Sequence, residues 1–86
     1  MPAPYQLKIV TRERIAYEGE VTSTTAPATS GSIGIWANHA PLITSLDEGK
    51  LAYTETDGTE TVAKVKGGFL EVRKNVVTIL TDEMAE

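Results

Sequence analysis

Apolar and polar residues alternate along short stretches of this chain. Tyr5, Leu7 and Ile9 are separated by Gln6 and Lys8, the period-2 signature of a half-buried strand, and Val10 closes the run. Ile15-Ala16-Tyr17 is a brief apolar piece. After Glu18-Gly19-Glu20 comes a β-branched run, Val21 to Thr25, which favours a pleated strand because Val and Thr lose rotamer freedom in a helix. Small polar residues over 28–32 predict a loop. Further strands are predicted at Ile33–Trp36, Leu42–Leu46, Leu51–Glu55, Glu60–Val65, Phe69–Val72 and Val76–Thr81. The breaks between them fall at Asp47-Glu48-Gly49, at Thr56-Asp57-Gly58-Thr59, at Gly67-Gly68 and at Lys74-Asn75. Asp57-Gly58 is the strongest hairpin signal, since a type I′ turn needs two residues that tolerate positive φ.

No window of about eleven residues carries helical spacing. The expectation is an all-β fold, about ten short strands packed as a two-sheet β-sandwich, with residues 1–86 forming one domain. The last five residues have helix-friendly composition but are too few for a stable helix in water. The single Phe69 and the tyrosines Tyr5, Tyr17 and Tyr53 have strand spacing, so core or half-core positions are expected for each. Trp36 divides evenly between a core role and an interface anchor.

A chain of 86 residues supports only one small core, and without cysteine it has no disulfide to brace that core. A stabilising partner is therefore plausible. The net charge of −4 and the scattered basic residues argue against nucleic acid and against adhesion to an anionic membrane. No apolar run approaches the roughly 20 residues needed to span a bilayer, so no direct membrane insertion is expected. The first residues, Met1-Pro2-Ala3-Pro4, lack the basic and apolar regions of a signal peptide.

Chemistry is sparse. The one histidine, His39, is the only conventional imidazole base, and Ser30 or Ser32 would have to be its nucleophile. The plainer account is a Ser-Gly-Ser turn and a loop histidine at a surface or interface, because a triad is defined by geometry rather than sequence proximity. Lone His39 has no second imidazole or thiolate for a metal, and the acids in turns do not follow a calcium-loop pattern. Gly31 to Gly34 lacks the Lys-Ser/Thr that completes a phosphate-binding loop. No catalytic, cofactor-binding or metal residue is predicted.

The stretch Gly31-Ser32-Ile33-Gly34-Ile35-Trp36-Ala37-Asn38-His39-Ala40-Pro41-Leu42 closely resembles the signature of epsilon subunits of rotary ATP synthases. Gly67-Gly68-Phe69-Leu70-Glu71-Val72, followed by Asn75 to Leu80, resembles that family too. So do Leu7 to Arg14 and Tyr17-Glu18-Gly19. The resemblance implies the ten-stranded sandwich that attaches the gamma subunit to the membrane c-subunit ring. In that role it couples ion flow to ATP synthesis in the catalytic head without doing bond chemistry itself. It implies a peripheral place on the cytoplasmic face of the bacterial inner membrane, or on the equivalent energy-transducing membrane of an organelle. Carried over by position, Thr11, His39, Pro41 and Leu42 would lie against gamma, and Thr29, Ser30, Gly31 and Ser32 would face the c ring. Many members have acids where this chain has Ser30 and Ser32, and Pro-Gly where it has Ala37-Asn38. With the chain stopping at Glu86, the C-terminal helical hairpin of the family, and inhibition of ATP hydrolysis by it, are not expected from these residues. The alternative is a stand-alone β-sandwich ligand-binding module that recognises a carbohydrate or peptide.

Overall fold

The computed structural model describes residues 3–86, which form seven strands: β1 (Tyr5–Val10), β2 (Ile15–Ala28), β3 (Gly31–Ile35), β4 (Leu42–Glu55), β5 (Glu60–Arg73), β6 (Val76–Leu80) and β7 (Met84–Ala85). Three of these, β2, β4 and β5, are 14 residues long and serve both faces of the molecule. Their halves divide the ladder into two layers. One runs β2 (first half), β1, β6, β5 (second half), β4 (first half); the other runs β3, β2 (second half), β4 (second half), β5 (first half), β7. Counting each long strand once per layer gives the ten predicted strands. The predicted two-sheet sandwich is therefore a flattened barrel with continuous corners, and pairing of β1 with both β2 and β6 closes it.

Three predicted breaks lie inside continuous strands, and the glycine at each has a steric reason. At Gly19 the Tyr17 ring folds back so closely that an added Cβ would lie 2.8 Å from its hydroxyl oxygen. Pro27 covers Gly49, where an added Cβ would meet the proline Cβ at 2.9 Å. Gly67 and Gly68 take φ of 70° and 115°, a backbone closed to most L-residues, and the β4–β5 ladder has no pair between Leu46↔Gly68 and Glu48↔Lys66. Glycine thus marks close approach and bulges here, not strand ends. Pro27 itself lies inside β2, at the register shift between Thr25 and Ala28, where its missing N–H breaks no regular ladder bond.

The turns also differ from expectation. Lys74 and Asn75, with φ of 49° and 62°, make the tight β5–β6 turn in which both central residues are left-handed. In the Asp57 hairpin only Gly58 has positive φ, at 93°. There the Gly58 N–H donates to the Glu55 carbonyl at 2.9 Å, and the Asp57 carboxylate accepts the Thr59 N–H at 2.9 Å. That bond holds the Asp57 carboxyl below its usual range. The predicted type I′ turn at Asp57-Gly58 is corrected accordingly. The predicted loop 28–32 shrinks to Thr29-Ser30, because Gly31 and Ser32 pair with Ala28 and Pro27. The last residues use an unfilled edge of β5 instead of starting a helix: Met84 and Ala85 pair with Val65 and Lys64.

Alternation places the core as expected along β1, where Tyr5, Leu7 and Ile9 are buried. They meet Val21, Ile35, Leu51, Val65, Leu70, Val72, Val77 and Ile79 between the layers. One polar contact ties three strands inside it. The Tyr5 hydroxyl sits 2.6 Å from the Thr24 hydroxyl and donates to the Ile35 carbonyl at 3.1 Å. Tyr5→Phe leaves Thr24 buried without this partner. It is expected to lower the free energy of unfolding by about 1–3 kcal/mol, measurable as a lower urea midpoint with an unchanged slope.

Burial raises the Tyr5 and Tyr53 phenols, and burial together with the charge of Glu55 pushes Tyr17 up to about 12. The folded state therefore holds these protons more tightly than the unfolded chain, whose tyrosines ionise near 10. Stability should be flat with respect to these groups below pH 10 and fall as the pH rises towards 12. Melting temperature followed against pH, alongside phenolate absorbance, checks this; a Tyr17→Phe variant should lose part of the slope.

Candidate docking surfaces

Alternation along a strand assigns each residue to a face, and register then assembles residues from different strands into rows. On the outer face of the first layer one row is apolar. Ile15 pairs with Val10, Val10 with Leu80, and Leu80 with Phe69, so that β2, β1, β6 and β5 each contribute one residue. Three strand spacings make the row about 14 Å long. Ile15, Leu80 and Phe69 are 52%, 50% and 57% exposed, while Val10 is half-buried. A cleft of about 270 Å³ opens between Phe69, Leu80, Val10 and Thr11. Arg12 and Asp82 stand at its rim as an exposed ion pair at 3.9 Å, worth little to stability. Two strand positions further along, Ile43 is 72% exposed beside Glu71 and Arg73, and Val76 lies next to Arg73.

Exposed apolar residues scattered singly need no explanation, but a contiguous set on one sheet face marks an interaction surface. The expectation of a core or half-core Phe69 is thus corrected. Leu70 and Val72 occupy the inward positions of that strand, which leaves Phe69 and Glu71 facing out. Trp36 is 60% exposed, which resolves its even division in favour of the surface; its ring folds over Gly34, whose added Cβ would lie 2.8 Å from it.

The four residues Thr11, His39, Pro41 and Leu42 fall at two ends of this same face. Thr11 closes the β1–β2 turn: its N–H and its hydroxyl both donate to the Arg14 carbonyl, at 2.9 and 3.2 Å. It also lines the Phe69 cleft. Pro41 and Leu42 line a second cleft with Ile43 and Arg73, of about 570 Å³. Pro41 is exposed, whereas Leu42 packs its side chain towards the core, so that Ile43 is the outward residue of the pair. His39 is half-buried, with Nδ1 2.8 Å from the Ala40 carbonyl oxygen. Its loop is held by Asn75, a residue absent from the sequence-based site. The Asn38 N–H donates to Asn75 Oδ1 at 2.7 Å, Asn75 Nδ2 donates to the Pro4 carbonyl, and Asn38 takes a φ of 64°.

Thr29, Ser30, Gly31 and Ser32 are all exposed and form the tip of the β2–β3 hairpin, where Gly31 has a φ of 128°. The tip presents hydroxyls and no charge. Among the described residues no hydrogen bond joins His39 to Ser30 or Ser32, and no group of three or more His, Asp or Glu side chains is placed to hold a metal.

The family model for the ATP synthase delta/epsilon chain β-sandwich domain matches residues 4–86. The chain belongs to this family. It is 45% identical over 85 residues to the ATP synthase epsilon chain of Dichelobacter nodosus, a match that covers 99% of this chain and 59% of that relative. The chain therefore spans less than two thirds of the length of this family member. Among solved structures, a chain of the Euglena gracilis mitochondrial ATP synthase, determined with OSCP, F1 and c-ring in rotational state 1, superposes with a TM-score of 0.91 at 25% identity. That superposition covers 99% of this chain and 54% of the other. A chain from the central stalk and c-ring of the Tetrahymena thermophila mitochondrial ATP synthase superposes with a TM-score of 0.79 at 17% identity, over 94% and 65% of the two chains, a likeness of fold. The family's β-sandwich is thus the flattened barrel described above.

Proposed function

We propose that this domain acts as a non-catalytic rotor part of an ATP synthase, docking on the gamma subunit through the outer face of its first layer and meeting the c-subunit ring with the β2–β3 hairpin tip. The observation that carries this reading is the apolar row Ile15, Val10, Leu80 and Phe69 on one outer face of a family member, with Ile15, Leu80 and Phe69 exposed. A specific interface needs about 800 Å² per partner and a few well-buried apolar or aromatic anchors. Phe69 and Leu80 supply such anchors, and Thr11, His39, Pro41 and Leu42 lie around the same face, with Ile43 projecting beside them.

The chemistry of these surfaces suits attachment rather than turnover. Coupling ring rotation to the catalytic head requires two contacts on one stiff body, and a closed ladder with a shared core is such a body. The domain would sit as a peripheral part of the membrane-bound complex, on the side that faces the head, which in a bacterium is the cytoplasmic side of the inner membrane. It would not bind nucleic acid and would not enter the bilayer.

Mixing the purified chain with its cognate gamma subunit tests the reading directly. A one-to-one complex is expected in size-exclusion chromatography, surviving moderate salt because the anchors are apolar. Two separate peaks at micromolar concentration would sink the proposal.

A further inference from the structure

The β2–β4 ladder has no pair between Thr25↔Ala52 and Ala28↔Leu46, and over this stretch β2 pairs regularly only with β3. A two-stranded ribbon alone is only marginally ordered in water. Thr29 ties the ribbon down. Its N–H donates to the Ser45 carbonyl at 3.0 Å, and the two hydroxyls are 2.9 Å apart. Ser45 is half-buried on β4, and its partner across the β4–β5 ladder is Phe69. One residue therefore touches the hairpin tip on one side and stands next to the apolar face on the other.

Just before this tie, Pro27 can donate no backbone bond and the register shifts between Thr25 and Ala28. The hairpin is least held by its ladder at the place where Thr29 and Ser45 meet. Resting on the rotor reading above, we infer that Ser45 is a positioning residue: it sets the orientation of the tip Thr29–Ser32 relative to the Phe69 and Leu80 face. A pre-oriented tip loses less freedom on contact than a loose one. It also keeps two partners of one rotor at a constant angle, which a flexible ribbon would not.

The test compares Ser45→Ala, Ser45→Thr, Thr29→Val and the double variant Thr29→Val/Ser45→Ala in the 86-residue chain bound to gamma. Affinity for the detergent-solubilised c ring is read separately from affinity for gamma and from the melting temperature. Ser45→Ala should weaken c-ring binding about five- to tenfold, the loss of roughly one hydrogen bond. Gamma affinity should stay near wild type, the melting temperature should fall by no more than about 4–8 °C, and Ser45→Thr, which keeps the hydroxyl, should restore the c-ring contact. Adding Ser45→Ala to Thr29→Val should have no further effect, because Ser45 acts through Thr29. Unchanged c-ring binding in Ser45→Ala, or equal loss at gamma and the ring, would overturn the inference and leave the rotor reading standing. Failure of the wild-type chain to bind gamma would instead count against that reading.

Discussion

Gly68→Ala should cost the domain about 4 kcal/mol or more, a large part of the stability available to a chain of this size. Two effects add. At a φ of 115° a side chain strains the backbone, and the new Cβ would overlap the Leu80 carbonyl oxygen and crowd the Thr81 Cα. These are backbone atoms of β6 and its exit, so no rotamer change relieves the overlap. Either β5 or β6 must move, and Leu70, Val72, Val77 and Ile79 hold both in the core. Gly58→Ala is the control: φ is 93° there, but nothing lies within 4 Å of the added Cβ, so only the backbone strain of about 1–2 kcal/mol remains. Urea unfolding of the two variants separates the effects. A Gly68→Ala midpoint no lower than that of Gly58→Ala would mean that β5 can slide away from β6.

Phe69→Asp, one residue further along, should do the opposite: leave the fold intact and remove binding. Its side chain points outward and is 57% exposed, so a carboxylate there remains in water in the free domain. In a complex with gamma the same carboxylate would be buried against apolar surface next to Leu80 and Val10 without a partner. The loss combines a missing anchor with an uncompensated charge, and about 100-fold or more in affinity is expected. Titration calorimetry against gamma measures it, with the melting temperature as a check on folding. Val62→Asp, on the outer face of the second layer and 45% exposed, should bind gamma as wild type does. If both aspartates weaken binding equally, the docking face has been misplaced.

More of this surface is legible in the sequence than the strand spacing of its aromatics suggests. Phe69-Leu70-Glu71-Val72 alternates, and since Leu70 and Val72 face the core, Phe69 must share the outer side with Glu71. Val76 to Leu80 is apolar at both outer ends as well as at Val77 and Ile79, the mark of a strand covered on both sides. The hydrophobicity of a lone phenylalanine, which favours the core, masks that signal. Leu42-Ile43 was ambiguous for a different reason, since two adjacent aliphatics do not say which one points in. Asn75 and Ser45 could not be found from sequence at all. Asn75 reaches Asn38 and Pro4, 37 and 71 residues away, and the hydroxyl of Ser45 meets Thr29 across 16 residues.

Local pattern alone was enough for the all-β class, the inward set Tyr5, Leu7 and Ile9, most strand positions and, through ordered motifs, the family. Those features depend on neighbours two or three residues apart, which any window of the chain contains. Tertiary structure decided that glycines lie inside long strands instead of ending them, that the left-handed turn belongs to Lys74-Asn75, and that Ile15, Val10, Leu80 and Phe69 form one row. The physical reason is register. Alternation tells each strand which residues face outward, but only the long-range ladder places those residues side by side.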